Sequence, residues 1–211
     1  MKKNEIVMMV LTALAFLVAY LIYPALPEQA ASHWNAAGEV DGYVNKFWAV
    51  MILPLIMAVF SLMFILIPRI DPLKENIAQF RKYFDWFIFA TMLFLVYVYA
   101  LTILWNFGWR FNFSVVMTPG FAVLFYLSGV LISKARRNFF IGIRTPWTLS
   151  SDVVWDKTHR LGAKLFKVAA LIALLGIFFD KFAIGFVIIP AIAAALISLV
   201  YSYVVYRQEV K

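Results

Sequence analysis

Six apolar stretches govern what this chain can become, each long enough to cross a hydrocarbon core of about 30 Å. They are Ile6–Tyr23, Phe47–Ile67, Tyr83–Trp105, Val115–Ile132, Leu161–Phe179 and Ile184–Tyr206. A chain that is 64% hydrophobic and 14% charged over 211 residues cannot enclose them all in one water-soluble core; soluble domains are nearer half apolar and a quarter charged. In lipid, backbone polar groups must be satisfied within the segment, so such stretches become helices. The expected fold is all-α, a polytopic membrane protein with six transmembrane helices.

Orientation follows from the basic residues. Of the 19 Lys and Arg residues, only Lys46, Arg110 and Lys181 fall on one side of the six spans. The other sixteen lie at the termini and in the second and fourth connections with their flanks. Positive charge concentrates on the cytoplasmic side, which predicts an N-in/C-in protein of the cell membrane. The net charge of +8 therefore tracks the membrane sides, and no direct nucleic-acid partner is expected. Lys2-Lys3 before an apolar run has the form of a signal peptide, but Ile6–Tyr23 is longer than a usual cleaved core and Pro24, Pro27 and Glu28 make a poor exit. The first segment is read as a retained span.

Two regions are expected. Residues 1–67 carry the first two spans and an external loop, 24–46. Residues 68–211 carry four spans and a distinctive cytoplasmic stretch, 138–167. The second connection, Pro68–Lys82, reads as a short surface segment. Pro54 and Pro190 sit deep in spans two and six, where a lost hydrogen bond should bend the helix; Pro119 is placed near the start of span four, where it costs little.

The stretch 138–167 departs from anything that apolar burial demands. Arg144-Thr145-Pro146-Trp147-Thr148 forms a turn with an arginine and an indole. Ser150, Ser151 and Asp152 are N-cap residues, whose side-chain oxygens accept free amides of a first helical turn. From Val153 a helix can run into the fifth span, with Lys157, Arg160, Lys164 and Lys167 on one face and Trp155, His159, Gly162 and Phe166 on another. Arg144 can grip a phosphate or carboxylate with two prongs, or brace the loop by holding backbone carbonyls. The basic face suits anionic lipid or an acidic protein surface. Trp147 and Trp155 are expected as anchors at headgroup depth.

The external loop holds Glu28, His33, Trp34, Asn35 and Asp41. Gly38 and Asp41-Gly42 are turn signals, and Trp34 and Tyr43 suit the interface. The favoured reading is an ordered cap whose polar groups bond one another. The other reading is a cation held by Glu28, His33, Glu39 and Asp41, against which counts the lack of a second histidine at a ligand spacing. No metal or cofactor is assigned.

Chemistry is hard to place elsewhere. The spans carry no ionisable side chain near mid-depth, where coupled carriers put one. His33 and His159 lie on opposite sides. No nucleophile elbow, HExxH or phosphate-cradling glycine loop occurs, and there is no cysteine. A non-enzymatic recognition role is the expectation. A small-molecule or lipid carrier, framed by Pro54 and Pro190, is the alternative, and a metal-dependent enzyme using Glu28, His33 and Asp41 is a third reading.

Phe140–Leu149, followed by Ser151-Asp152, Trp155, Thr158-His159-Arg160 and Gly162, resembles the signature of the SdpI family of bacterial membrane proteins. Leu26-Pro27-Glu28, His33-Trp34-Asn35 and Gly38–Tyr43 resemble the N-terminal domain of unknown function often fused to it. The resemblance covers most of the chain. It implies an immunity and sensor protein that meets a secreted peptide toxin and signals by drawing a cytoplasmic transcriptional repressor to the membrane. On that implication Arg144, Thr145, Pro146, Trp147, Trp155, Lys157, His159, Arg160 and Lys164 form the cytoplasmic contact surface for partner or lipid.

Overall fold

The computed structural model describes residues 3–209; Lys2 and Lys211, counted in the charge distribution above, lie outside the described residues. Six long helices carry the apolar stretches: α1 (Lys3–Ile22), α2 (Lys46–Ile70), α4 (Arg81–Asn106), α5 (Phe113–Lys134), α7 (Asp152–Leu175) and α8 (Ala183–Glu209). All six are long and apolar enough to cross a membrane. They outrun the apolar stretches at most ends. A helix continues past the hydrophobic boundary wherever its hydrogen-bond ladder can, and polar residues such as Lys46, Arg81 and Asp152 are carried in those extra turns. Leu171, Ile189 and Leu196 are among many large apolar side chains left exposed on the outer surface, as a protein solvated by lipid requires.

Helices α1, α2 and α4 pack together, α5, α7 and α8 pack together, and α4 against α5 joins the two groups. Ion pairs gather the starts of α1 and α7 with the ends of α2 and α8 at one end of the bundle: Arg69 with Glu5 at 2.8 Å, and Lys157 with Glu209 at 2.6 Å. The loop between α5 and α7 is at this same end.

Proline carbonyl partners are replaced locally. Pro54 cannot donate to the Val50 carbonyl one turn earlier; the Tyr99 hydroxyl of α4 does so instead, at 3.1 Å. Pro119 lies beyond the first turn of α5, which begins at Phe113, so it is interior and not at the helix start as expected. There the Thr118 hydroxyl donates to the Val115 carbonyl at 2.9 Å, filling the vacancy.

The second connection is not a surface segment. It contains a short helix, α3 (Lys74–Gln79), and buries Ile77, Phe80 and Asp71. The Asp71 carboxylate accepts the amides of Leu73 at 2.6 Å and of Phe139 at 2.9 Å. Asn76 donates to the Arg137 carbonyl at 2.7 Å. The two connections are thus bonded to each other, which keeps this aspartate inside.

The 24–46 loop contains an antiparallel hairpin, β1 (Gln29–Trp34) and β2 (Val40–Asn45), an addition to an otherwise helical chain. Its turn is Asn35–Glu39, with Gly38 at φ +80°, a conformation a glycine adopts without strain. Asp41-Gly42 is not a turn; it lies within β2, where the register shifts opposite His33. Asn106 of α4 clamps the strand as another strand would. Its side-chain oxygen accepts the Ala31 amide at 2.8 Å and its NH2 donates to the Ala31 carbonyl at 3.0 Å. Asn112 caps α5 and donates to the Ala37 carbonyl at 2.8 Å.

Candidate functional site

The loop between α5 and α7 is built around Asn138, which is fully buried. Its NH2 donates to the carbonyls of Arg136 and Ile141, at 2.8 and 2.9 Å, and its oxygen accepts the amides of Phe140 and Ile141, at 2.9 and 2.6 Å. Both ends of the amide are satisfied, so a polar side chain is stable at the centre of the fold's most irregular segment. Asn138 opens the distinctive stretch, yet it was not among the predicted site residues. The signal was there: an asparagine that accepts amides two and three residues ahead makes a local turn of its own.

The turn Arg144–Thr148 is a helix start. Thr145 caps α6 (Pro146–Ser150), with its hydroxyl accepting the Thr148 amide at 3.1 Å while the Thr148 hydroxyl accepts the Thr145 amide at 2.9 Å. Pro146 stands at the first helical position, where no amide partner is needed. Thr145 also meets the Ser202 hydroxyl of α8 at 3.0 Å, and Trp147 packs on Tyr203 at 5.1 Å between ring centres. The motif is therefore seated on α8. Ser151 caps α7, as expected of this serine run. Ser150 instead donates to the Trp147 carbonyl, and Asp152 pairs with Arg137 at 2.9 Å.

Trp155 is corrected by the structure. It is 1% exposed and is no headgroup anchor. Its indole N–H donates to the Ala135 carbonyl at 2.9 Å, and its ring stacks on His159 at 3.9 Å and 18°. His159 is buried too. Its Nε2 accepts the Ile143 amide at 3.1 Å, which makes the other nitrogen, Nδ1, the donor to the Trp155 carbonyl at 2.8 Å. A neutral imidazole with both nitrogens in use holds the loop to α7. Trp155, His159, Thr145 and Thr148 face inward and form a platform.

On top of that platform stand the cations. Arg144 is exposed and donates to the Phe139 carbonyl at 2.8 Å; in this conformation it braces the loop. Lys157 is neutralised by Glu209, so the basic face of α7 carries less free charge than its sequence spacing suggests. Arg160 and Lys164 are exposed on the same face, with no carboxylate partner among the described residues.

At the far end, the polar residues of the 24–46 loop engage one another. His33 meets Asp41 through Nδ1, Glu28 pairs with Lys46 at 2.7 Å, and the Asn35 oxygen accepts the amides of Ala37 and Glu39 at 2.9 and 3.0 Å. Trp34 stacks on Phe113 at 3.9 Å and meets Trp105 edge-on, so it packs the hairpin onto the bundle.

Residues 134–202, from the last residue of α5 through the motif and into α8, match the SdpI/YfhL protein family. Residues 10–58, which include the hairpin, match a domain of unknown function, DUF1648. Over 210 residues the chain is 29% identical to the immunity protein SdpI of Bacillus subtilis (strain 168), covering 99% of this chain and 98% of that protein. No solved structure matches. The similarity is thus to an immunity protein, and the six helices long and apolar enough to cross a membrane make this a multi-pass membrane protein.

Proposed function

We propose that the protein is an immunity protein of the cell membrane that protects its cell against a secreted peptide toxin. The end-to-end similarity to an immunity protein carries this reading, since it includes both the 24–46 hairpin and the motif and leaves neither as a private addition. In the proposed orientation both termini and the motif are cytoplasmic, because the end of the bundle that gathers the motif also gathers most of the basic residues. The hairpin and outer helix ends meet the toxin. The platform of α6 and α7 displays Arg144, Arg160 and Lys164 to the cytoplasm, where an acidic surface of a transcriptional repressor is the proposed partner. Buried Thr145, Trp155 and His159 serve this surface by holding it rigid.

Orientation is tested by labelling. The chain has no cysteine, so single variants Ser150→Cys and Glu39→Cys, both at exposed positions, report cleanly. An impermeant maleimide added to intact cells is expected to label E39C and to spare S150C until the membrane is opened. The reverse pattern rejects the orientation.

Function is tested by toxin challenge of cells carrying R144A or the R160A/K164A pair. Each is exposed, so normal membrane levels are expected. If these residues form the output, repressor recruitment falls by about tenfold, on the scale of removing one or two charge-assisted hydrogen bonds, while survival depends on whether protection needs that output. Unchanged recruitment in both variants rejects the motif as the output; loss of survival with the whole protein deleted, restored by the wild-type chain, is the requirement for immunity itself.

A further inference from the structure

Four basic side chains at the motif end of the bundle are neutralised. Arg69 has Glu5, Arg81 has Asp85, Arg137 has Asp152 and Lys157 has Glu209, all within 2.9 Å. A second set has no carboxylate partner among the described residues, and three of its members meet around one cleft. The cleft lies between the end of α5 and the first turns of α7, with a volume of about 280 Å³. Lys134, Arg136, Asp156, His159 and Arg160 line it. Both nitrogens of His159 are already committed within the loop, so it contributes wall and no free charge. Three cations against the single carboxylate of Asp156 leave a concave site with formal charge +2.

We propose that this cleft binds a phosphate group presented at the membrane surface, the headgroup of an anionic phospholipid. Two guanidinium groups can each offer paired N–H donors to tetrahedral phosphate oxygens, and Lys134 adds a point charge. The volume is roughly nine times the share of one water in the liquid, enough for a phosphate with ordered waters. Depth favours a lipid source. The apolar span of α5 ends at Lys134, so the cleft opens where the hydrocarbon gives way to headgroups, and there phospholipid phosphates are the abundant anions. Arg137 and Lys157, the neighbouring cations already satisfied by carboxylates, do not line the cleft. The cleft therefore gathers three cations that have no carboxylate partner among the described residues. This inference does not depend on immunity function, because it rests on the cleft alone.

Purified protein in a neutral detergent at low salt is melted with increasing dihexanoyl phosphatidylglycerol, dihexanoyl phosphatidylcholine or inorganic phosphate. Phosphatidylglycerol is expected to raise the melting temperature in a saturable way, and phosphatidylcholine not to. R136Q and R160Q are each expected to weaken the apparent affinity by about tenfold, whereas K181Q at the opposite end leaves it unchanged. R160K keeps the charge without the fork and serves where a neutral variant does not purify; it is expected to lose part of the affinity. An equal response to inorganic phosphate keeps the phosphate site and moves its ligand to a soluble phosphate. The proposal is overturned if phosphatidylglycerol acts no better than phosphatidylcholine and phosphate has no effect, or if R136Q, R160Q and R160K all bind as the wild type does. A matching response to an acidic peptide that phosphatidylglycerol cannot displace also overturns it.

Discussion

Trp155→Ala is expected to destabilise the protein by about 3–5 kcal/mol, the range for removing a buried large aromatic side chain. Its indole fills the space between the loop and the bundle at 1% exposure and stacks on His159. Removing it opens a cavity that a loop pinned by Asn138 and the Thr145–Thr148 cap cannot collapse to fill. It also strips the Ala135 carbonyl of its donor. Trp155→Phe separates the two effects, since most of the ring remains and the N–H does not. An unpaired buried carbonyl costs about 1–3 kcal/mol, so the order expected in reversible unfolding from mixed micelles is wild type, then W155F, then W155A. Equal stability of W155F and wild type would remove the hydrogen bond from the account. A cost below about 1 kcal/mol for W155A would remove the plug.

What the sequence reveals about this fold depends on the range of the forces involved. The six spans were legible because lipid imposes one requirement, sustained apolar length, that each segment meets by itself. The cap at Ser151 was legible because it is set within a few residues. The hairpin was not. Val40–Asn45 alternates between half-buried and exposed, but β1 is held by the amide of Asn106, 75 residues away. Asp41-Gly42 looked like a turn because the bulge that needs Gly42, whose added Cβ would lie 2.9 Å from the His33 Cβ, is visible only once the strands are paired.

Asp71 shows the same limit. Beside Pro72 it reads as a surface residue, and only the Phe139 amide from the other connection explains its burial. At the motif, helical spacing correctly placed Trp155, His159 and Gly162 on one face, away from Arg160 and Lys164. Spacing does not say what covers a face. A basic amphipathic helix suggested an indole at the interface, whereas the loop 135–144 folds over that side and takes the indole into the interior. The pairing of Lys157 with Glu209 was equally hidden, as it joins the start of α7 to the end of α8.

Gly142→Ala is expected to be the most damaging small substitution in the motif. Gly142 has φ +118°, a backbone conformation that an L-residue adopts at a cost of about 1–3 kcal/mol. The added methyl would also lie 2.4 Å from Nε2 of His159, too close for any real contact. The imidazole must move, and the Ile143 amide then loses its acceptor, for a further cost of about 1–3 kcal/mol. The two costs can be told apart by a double-mutant cycle. In a His159→Ala background the ring is absent, so the clash and the lost bond no longer depend on the methyl, and only the backbone strain remains. G142A is therefore expected to cost about 3–5 kcal/mol alone and roughly 1–3 kcal/mol in H159A. The coupling energy between the sites should exceed about 1 kcal/mol, well above the scatter for independent positions. Additive effects would mean that the methyl acts through the backbone alone, and that His159 does not hold the turn. Because the turn precedes Arg144 by two residues, the strained variant should also displace that arginine from the Phe139 carbonyl, so G142A would weaken any contact made by Arg144 even at temperatures where the bundle stays folded.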